Sequence, residues 1–206
     1  MIPLLLVGGG GHCRACIDVI EAVASYRIAG IVQPFSNGCE PVFGYPVLGS
    51  DEDLPALLEQ TRQAVVTVGQ IKSPETRMRL FDQLKARGAE LPVIQSPTAY
   101  RSRHAQIGEG SILMHSSLVN AGVCIGSNCI VNSQALIEHD VEIADHCHVS
   151  TGAHINGGVR IGEGCFIGSG AILKEGIEVG ARALIGAGQT VLRDIPAGAI
   201  VRDQRG

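Results

Sequence analysis

From Ile107 onward every sixth residue is Ile, Leu or Val: Ile107, Leu113, Val119, Ile125, Val131 and so on to Val191, fifteen hexads without an exception. The fifth position is small or apolar in fourteen of the fifteen, running from Ser111 through Cys129, Cys147 and Cys165 to Ile195, with Gln189 as the outlier. Glycine recurs at the second position, as Gly108, Gly126, Gly162, Gly168, Gly180 and Gly186. Neither the 3.6-residue period of a helix nor the two-residue period of a strand sustains six over fifteen repeats; a solenoid does. Each hexad then supplies one short strand and one turn, and three hexads close a triangular coil. The aliphatic residue points inward and the small residue fills a corner. Residues 18 apart stack at sheet spacing, about 4.8 Å. The second-position glycines are expected to supply turn conformations that a side chain resists. Aromatics make up only 3% of the chain and Trp is absent, which suits a core filled by aliphatics. The reading is a parallel β-helix of five coils, whose hand the residues themselves do not fix.

The same phase places the chemistry. Cys129, Cys147 and Cys165 form one inward column, where a free thiol acts as a small hydrophobe. His139 falls at a third position and Asp140 at a fourth, both on an outward turn. Their stacked neighbours are Ala121 and Gly157 for His139, and Gly122 and Gly158 for Asp140. An imidazole and a carboxylate thus project from a face whose adjoining coils carry almost no side chain. Adjacent His and Asp on a wet surface need no function; the bare shelf around this pair favours one. An imidazole whose tautomer a carboxylate fixes is a general base. His148, stacked between Ile130 and Phe166, has an apolar setting suited to packing against a ligand. His146, between Asn128 and Gly164, reads as solvated, and His154, between Leu136 and Ile172, as structural. No trio of histidines has the spacing of a zinc carbonic anhydrase of this repeat class, so no metal is expected.

The first half differs. "PLLLV" reads as a buried strand, "GGGGH" as a glycine loop, "CRACIDVIEAVAS" as an amphipathic helix and "RIAGIV" as a second strand. Ser50 and Asp53 resemble a cap that opens a helix over about 51–61. "AVVTVG" is a third strand. Ser73, Pro74 and Gly88 bracket a further helix, and "LPVI" is a fourth strand. Residues 1–94 therefore read as a Rossmann-like α/β domain and residues 95–206 as the solenoid. The glycine loop fails as a dinucleotide fingerprint: Cys13 stands where glycine is needed, and Val32-Gln33-Pro34 offers no acid for a ribose. A glycine loop at a helix N-terminus still favours an anion such as a diphosphate. Cys13-x-x-Cys16 reads as packing thiols. A net charge of −4 with no basic cluster argues against nucleic acid as a partner. "IPLLLV" lacks a basic flank and is too short for a signal peptide or a membrane span. Seven cysteines, an odd number, fit a reducing cytoplasm.

The motifs "GGGGH", "YPVLGSDEDL", "VGQIKSPETR", "SPTA", "NSQALIEHDVEI" and "HCHVSTGAHINGGVRIG" together resemble one family across nearly the whole chain. It is the bacterial hexapeptide-repeat sugar acetyltransferases, in the branches that N-acetylate UDP-4-amino-sugars or O-acetylate sialic acid. The resemblance implies a left-handed β-helix, a homotrimer, and acetyl-CoA lying between neighbouring solenoids. It implies that His139 is the base and Asp140 its orienting acid, with His148 and the Gly157 amide near the thioester. Ser169 is a further expected cofactor contact. Asn132 is expected at the sugar, and Gly10, Gly11 and His12 at the nucleotide-sugar. Two departures stand out: Gln33 and Pro34 replace acids that family members often carry, and "IPAGAIVRDQRG" lacks a Gly-x-Pro-Ala segment. The expected reaction is direct transfer of acetyl from acetyl-CoA to a nucleotide-linked amino-sugar in surface-glycan biosynthesis. O-acetylation of a sialic or related nonulosonic acid, and a non-catalytic sugar-binding scaffold, are the alternatives.

Overall fold

The computed structural model describes residues 1–34, 40–70 and 72–202. The N-terminal part comprises β1 (Ile2–Val7), α1 (Gly11–Val23), β2 (Tyr26–Val32), β3 (Val47–Gly49), α2 (Leu54–Gln60), β4 (Gln63–Val66) and α3 (Glu75–Ala86). The strands form one parallel sheet in the order β3-β2-β1-β4. Leu4 to Val7 of the inner strand are all buried, as a parallel strand covered on both faces requires. Cys13, Cys16, Ile17 and Ile20 of α1 pack on one face. Leu54 and Leu58 of α2, with Leu80, Phe81 and Leu84 of α3, pack on the other.

Local signals explain most boundaries. The Asp53 carboxylate accepts the Ser50 N–H at 2.8 Å, and this turn delays α2 to Leu54, three residues beyond the start expected from the sequence. The Ser73 hydroxyl accepts the Glu75 N–H at 3.2 Å as α3 begins. Gly88, at φ 74°, stops that helix. One strand expectation is corrected. The fourth strand of this sheet is Val47–Gly49, whereas Ile94–Gln95 of "LPVI" is the first rung of the solenoid and pairs with Ile112–Leu113.

The solenoid is a left-handed β-helix built from two-residue strands, β5 (Ile94–Gln95) through β22 (Ile200–Val201), in three parallel sheets of five, seven and six strands. Each strand joins the outward sixth residue of one hexad to the inward first residue of the next. First- and fifth-position side chains fill a continuous core. Within it the thiols of Cys129, Cys147 and Cys165 donate to the carbonyls of Ala144, Gly162 and Gly180 at 3.1–3.2 Å.

The turn geometry corrects the glycine expectation. The left-handed backbone falls on the fourth position, where Ser116, Asn128, Gln134, Asp140, His146 and Arg182 have φ of 53–61°. The second-position glycines serve close approach instead: a Cβ on Gly108, Gly162 or Gly168 would stand 2.5 Å from backbone of the next coil. The repeat also tightens at its end. Ile195 pairs with Val179 and Ile200 with Leu184, 16 residues apart rather than 18. Ile195 is therefore an inward first-position residue, not the fifth-position residue the hexad count makes it. The last four residues of "IPAGAIVRDQRG" lie outside the described residues.

One face of the solenoid is covered by the α/β domain. Its outward residues Ile94, Ile112 and Ile130 share a core with α1. Polar contacts fasten the same junction: Gln70 Nε2 donates to Gly164 O at 3.0 Å, and Arg77 Nη2 donates to Asn128 Oδ1 at 2.7 Å. Among the described residues, no helix is long and apolar enough to cross a membrane.

Candidate active site

A cavity of about 640 Å³ opens where the loops after β1 and β4 face the covered side of the solenoid. Gly10, Gly11, His12, Asn132, His148 and Ser169, all expected site residues, line it together. Gly10 is the N-cap of α1 and has no side chain to satisfy the first N–H groups of that helix, those of Gly11 and His12, whose residues line the cavity. Gln33 and Pro34 form another wall, and the Gln33 carboxamide lies against Gly9. At the mouth, Arg79 pairs with Asp51 at 2.9 Å.

The two cavity histidines are neutral. His148 donates from Nδ1 to the Gln70 carbonyl at 2.8 Å, which leaves Nε2 as an acceptor, 3.3 Å from Asn132 Nδ2. Burial pushes its pKa down to about 4; the Gln70 carbonyl pulls the other way and the Arg77 charge adds to the fall. The apolar setting expected for His148 is thus only half right: Phe166 packs edge-on at 5.2 Å, yet both ring nitrogens have polar partners. His12 is driven further, to about 3, by burial first, then Arg77, then His148. Its Nε2 is buried with no hydrogen-bond partner among the described residues, a position a ligand can satisfy. The Ser150 and Ser169 hydroxyls pair at 2.9 Å on the far wall.

His139, Asp140 and Gly157 lie elsewhere, on the turn between β12 (Leu136–Ile137) and β13 (Glu142–Ile143) and on the coil above it. His139 Nδ1 stands 2.9 Å from Asp140 Oδ2, with side-chain exposures of 65% and 74%. The carboxylate accepts the Nδ1 proton and leaves Nε2 free to take another. The imidazole leans over Gly157, where an added Cβ would meet Cε1 at 2.7 Å and Nε2 at 2.8 Å. Asp140 leans the other way, over Gly122. The Gly157 N–H has no hydrogen bond among the described residues, whereas the Gly158 N–H donates to the His139 carbonyl at 3.0 Å. An imidazole nitrogen, the carboxylate bonded to the same ring and a backbone N–H with no partner among the described residues therefore share one open corner. A separate groove of about 1000 Å³ runs along the five-stranded face, lined by Gly108, Gly126, Ala144, Gly162 and Gly180; His139, Asp140 and Gly157 are not among its lining residues.

The expected site residues thus fall into two groups. His139 and His148 are nine residues apart, one and a half hexads, and so occupy different faces of the coil. Two other histidines depart from their readings. His146 is buried, not solvated, because α3 covers its turn: Phe81 meets it edge-on at 5.4 Å, and Asn128 Nδ2 donates to its Nδ1 at 2.9 Å. His154 is exposed on an uncovered face. Gln70 and Arg77 stand in the motif "VGQIKSPETR" and Ser150 in "HCHVSTGAHINGGVRIG", but the sequence assigned them no role. Nothing in the hexad pattern signals Gln70 and Arg77, since their positions depend on how the α/β domain docks; Ser150 is a second-position residue of the solenoid. Among the described residues no group of three or more His, Cys, Asp or Glu could hold a metal ion.

Comparison with known proteins bears on the whole chain. Residues 3–84 match the PglD N-terminal domain. Residues 140–174 match the bacterial transferase hexapeptide, and residues 158–193 the hexapeptide repeat of succinyl-transferase. Among solved structures, the acetyltransferase domain of PglB from Neisseria gonorrhoeae is 32% identical with a TM-score of 0.90, the match covering 97% of this chain and 96% of that one. The same domain in complex with acetyl coenzyme A is 33% identical with a TM-score of 0.89, over 96% and 94% of the two chains. A mutant of perosamine N-acetyltransferase from Caulobacter crescentus, in complex with CoA and GDP-perosamine, is 31% identical with a TM-score of 0.90, over 96% and 92%. No curated protein sequence matches. With this fold, these motifs and relatives above 30% identity along nearly their full length, the chain is an acyltransferase and belongs to the hexapeptide-repeat sugar acetyltransferases.

Proposed function

We propose that the protein transfers acetyl from acetyl-CoA to the amine of a nucleotide-linked amino-sugar, in the cytoplasm and on the way to a surface glycan. The observation that carries the mechanism is the His139 ring, anchored by Asp140 and laid over the bare backbone of Gly157. Acetyl-CoA lies along the solenoid with its thioester carbonyl beside Gly157, whose N–H stabilises the tetrahedral oxyanion. The acceptor nitrogen attacks the carbonyl carbon while His139 Nε2 takes its proton. Collapse of the intermediate breaks the C–S bond and expels CoA thiolate, which the imidazolium protonates. No enzyme-bound acyl group is needed, because holding both substrates together supplies much of the rate. The N-acetyl product is favoured over the O-acetyl one by the likeness to perosamine N-acetyltransferase. The free buried thiols suit a reducing compartment.

The nucleotide-sugar occupies the cavity at Gly10, Gly11 and His12, with Asn132 and His148 toward the sugar and Ser169 near the thioester. Cavity and His139 corner lie on different faces of one coil, so we propose a homotrimer in which one protomer's cavity meets the next protomer's His139. Acceptor-dependent CoA release by the His139→Ala protein tests the chemistry. A loss of about 10²- to 10⁴-fold in kcat, the usual worth of a general base, is expected. Unchanged release contradicts it.

A further inference from the structure

Arg77 lies on α3 at the junction of the two parts of the chain and is 1% exposed. Its Nη1 donates to the carbonyls of Val66 at 3.3 Å and Val68 at 2.5 Å, and its Nη2 to Asn128 O at 2.8 Å and Asn128 Oδ1 at 2.7 Å. Among the described residues its Nε is buried without a partner. Every acceptor is neutral, and among the described residues no carboxylate pairs with it. A buried charge without a counter-charge is costly, and such groups are normally paired. Val68, which it holds, lines the cavity, as do Thr76 and Leu80 on either side of it along α3. The guanidinium therefore stands directly behind the cavity wall. Its field is felt by both cavity histidines, His12 and His148, which it pushes toward neutrality. With those rings uncharged and Arg79 offset by Asp51, Arg77 is a buried positive charge behind the wall that no carboxylate pairs with among the described residues.

We infer that Arg77 is the counter-charge for the diphosphate of the bound nucleotide-sugar, acting through the wall by its field rather than by contact. The inference rests on the nucleotide-sugar reading of the cavity. In a low-dielectric site a fixed charge close behind the wall attracts a multiply charged anion strongly and is little screened by salt.

The test adds an internal counter-charge without removing the arginine. Asn128→Asp is nearly isosteric, sets a carboxylate oxygen where Oδ1 already meets Nη2, and suits the left-handed backbone at φ 53°. Asn128→Ser removes the same amide without adding charge, and Ser116 occupies the equivalent turn position at φ 57°. UDP and GDP binding is measured by calorimetry for both variants and the parent. Asn128→Asp is expected to weaken the diphosphate that binds the parent by on the order of tenfold, with Asn128→Ser within about threefold of the parent. Equal loss in both variants, or no loss in Asn128→Asp, overturns the inference. If the parent binds neither diphosphate, the nucleotide reading of the cavity falls, and this inference with it.

Discussion

At the scale of single residues, the pair His139–Asp140 depends on what stands beside it. What sets this imidazole–carboxylate pair, 2.9 Å apart, off from a plain surface pair is that the ring lies over Gly157, whose N–H has no hydrogen bond among the described residues. Gly157 is therefore predicted to matter for geometry rather than for folding. Its φ is not in the left-handed range, so alanine is tolerated by the backbone. The new Cβ would sit 2.7 Å from His139 Cε1, and the exposed ring must swing away. Gly157→Ala should lower kcat at least about tenfold, since small misplacements of a reacting group are costly, while the melting temperature stays within a few degrees. Steady-state kinetics and thermal unfolding check it. Wild-type kcat in this variant would show that the ring position is unimportant.

At the scale of elements, the turn of each coil is the unit that sets stability. Six described fourth-position residues hold a left-handed backbone without being glycine. Gln134 is exposed and has φ 60°. Relief of that strain, less the extra freedom glycine gives the unfolded chain, predicts that Gln134→Gly stabilises by roughly 0.5–1 kcal/mol. Urea unfolding measures it, and destabilisation would contradict it. The phase of the hexads made the core, the thiol column and the outward set of His139 legible before any coordinates, because an inward aliphatic every sixth residue admits one register. That His139 and His148, nine residues apart, sit on different faces became plain only in the structure. The role of the second-position glycines was misread because close approach between coils and turn strain leave the same sequence mark. Val47–Gly49 escaped notice because three residues are too few to show alternation. Burial of His146 depends on α3 crossing its turn, a tertiary event that no local pattern carries.

At the scale of the molecule, the junction of the α/β domain and the solenoid holds two imidazoles that must stay neutral. His12 and His148 have pKa values held down to about 3 and about 4, against 6.5 in the unfolded chain. Below about pH 6.5 the unfolded state takes up protons that the folded state refuses. The stability these rings contribute is complete above that pH and is lost as pH falls toward about 4. The slope is about 1.4 kcal/mol per pH unit for each ring. The urea midpoint should fall between pH 7 and pH 5, and His12→Gln should flatten that fall; a midpoint independent of pH would contradict it.

The proposed mechanism requires one active centre assembled from two chains, with the cavity from one protomer and His139 from the next. Chains carrying His139→Ala, mixed and reassembled with chains carrying Gly10→Glu, provide the most direct measurement. Among the described residues nothing lies within 4 Å of a Cβ at Gly10, so the glutamate is accommodated and adds an anion to the cavity lining. Each variant alone should be inactive. In an equal mixture of a symmetric oligomer about a quarter of the sites join an intact cavity to an intact His139, and acetyl transfer should return to about that fraction of wild type. A mixture as inactive as its components would contradict the account.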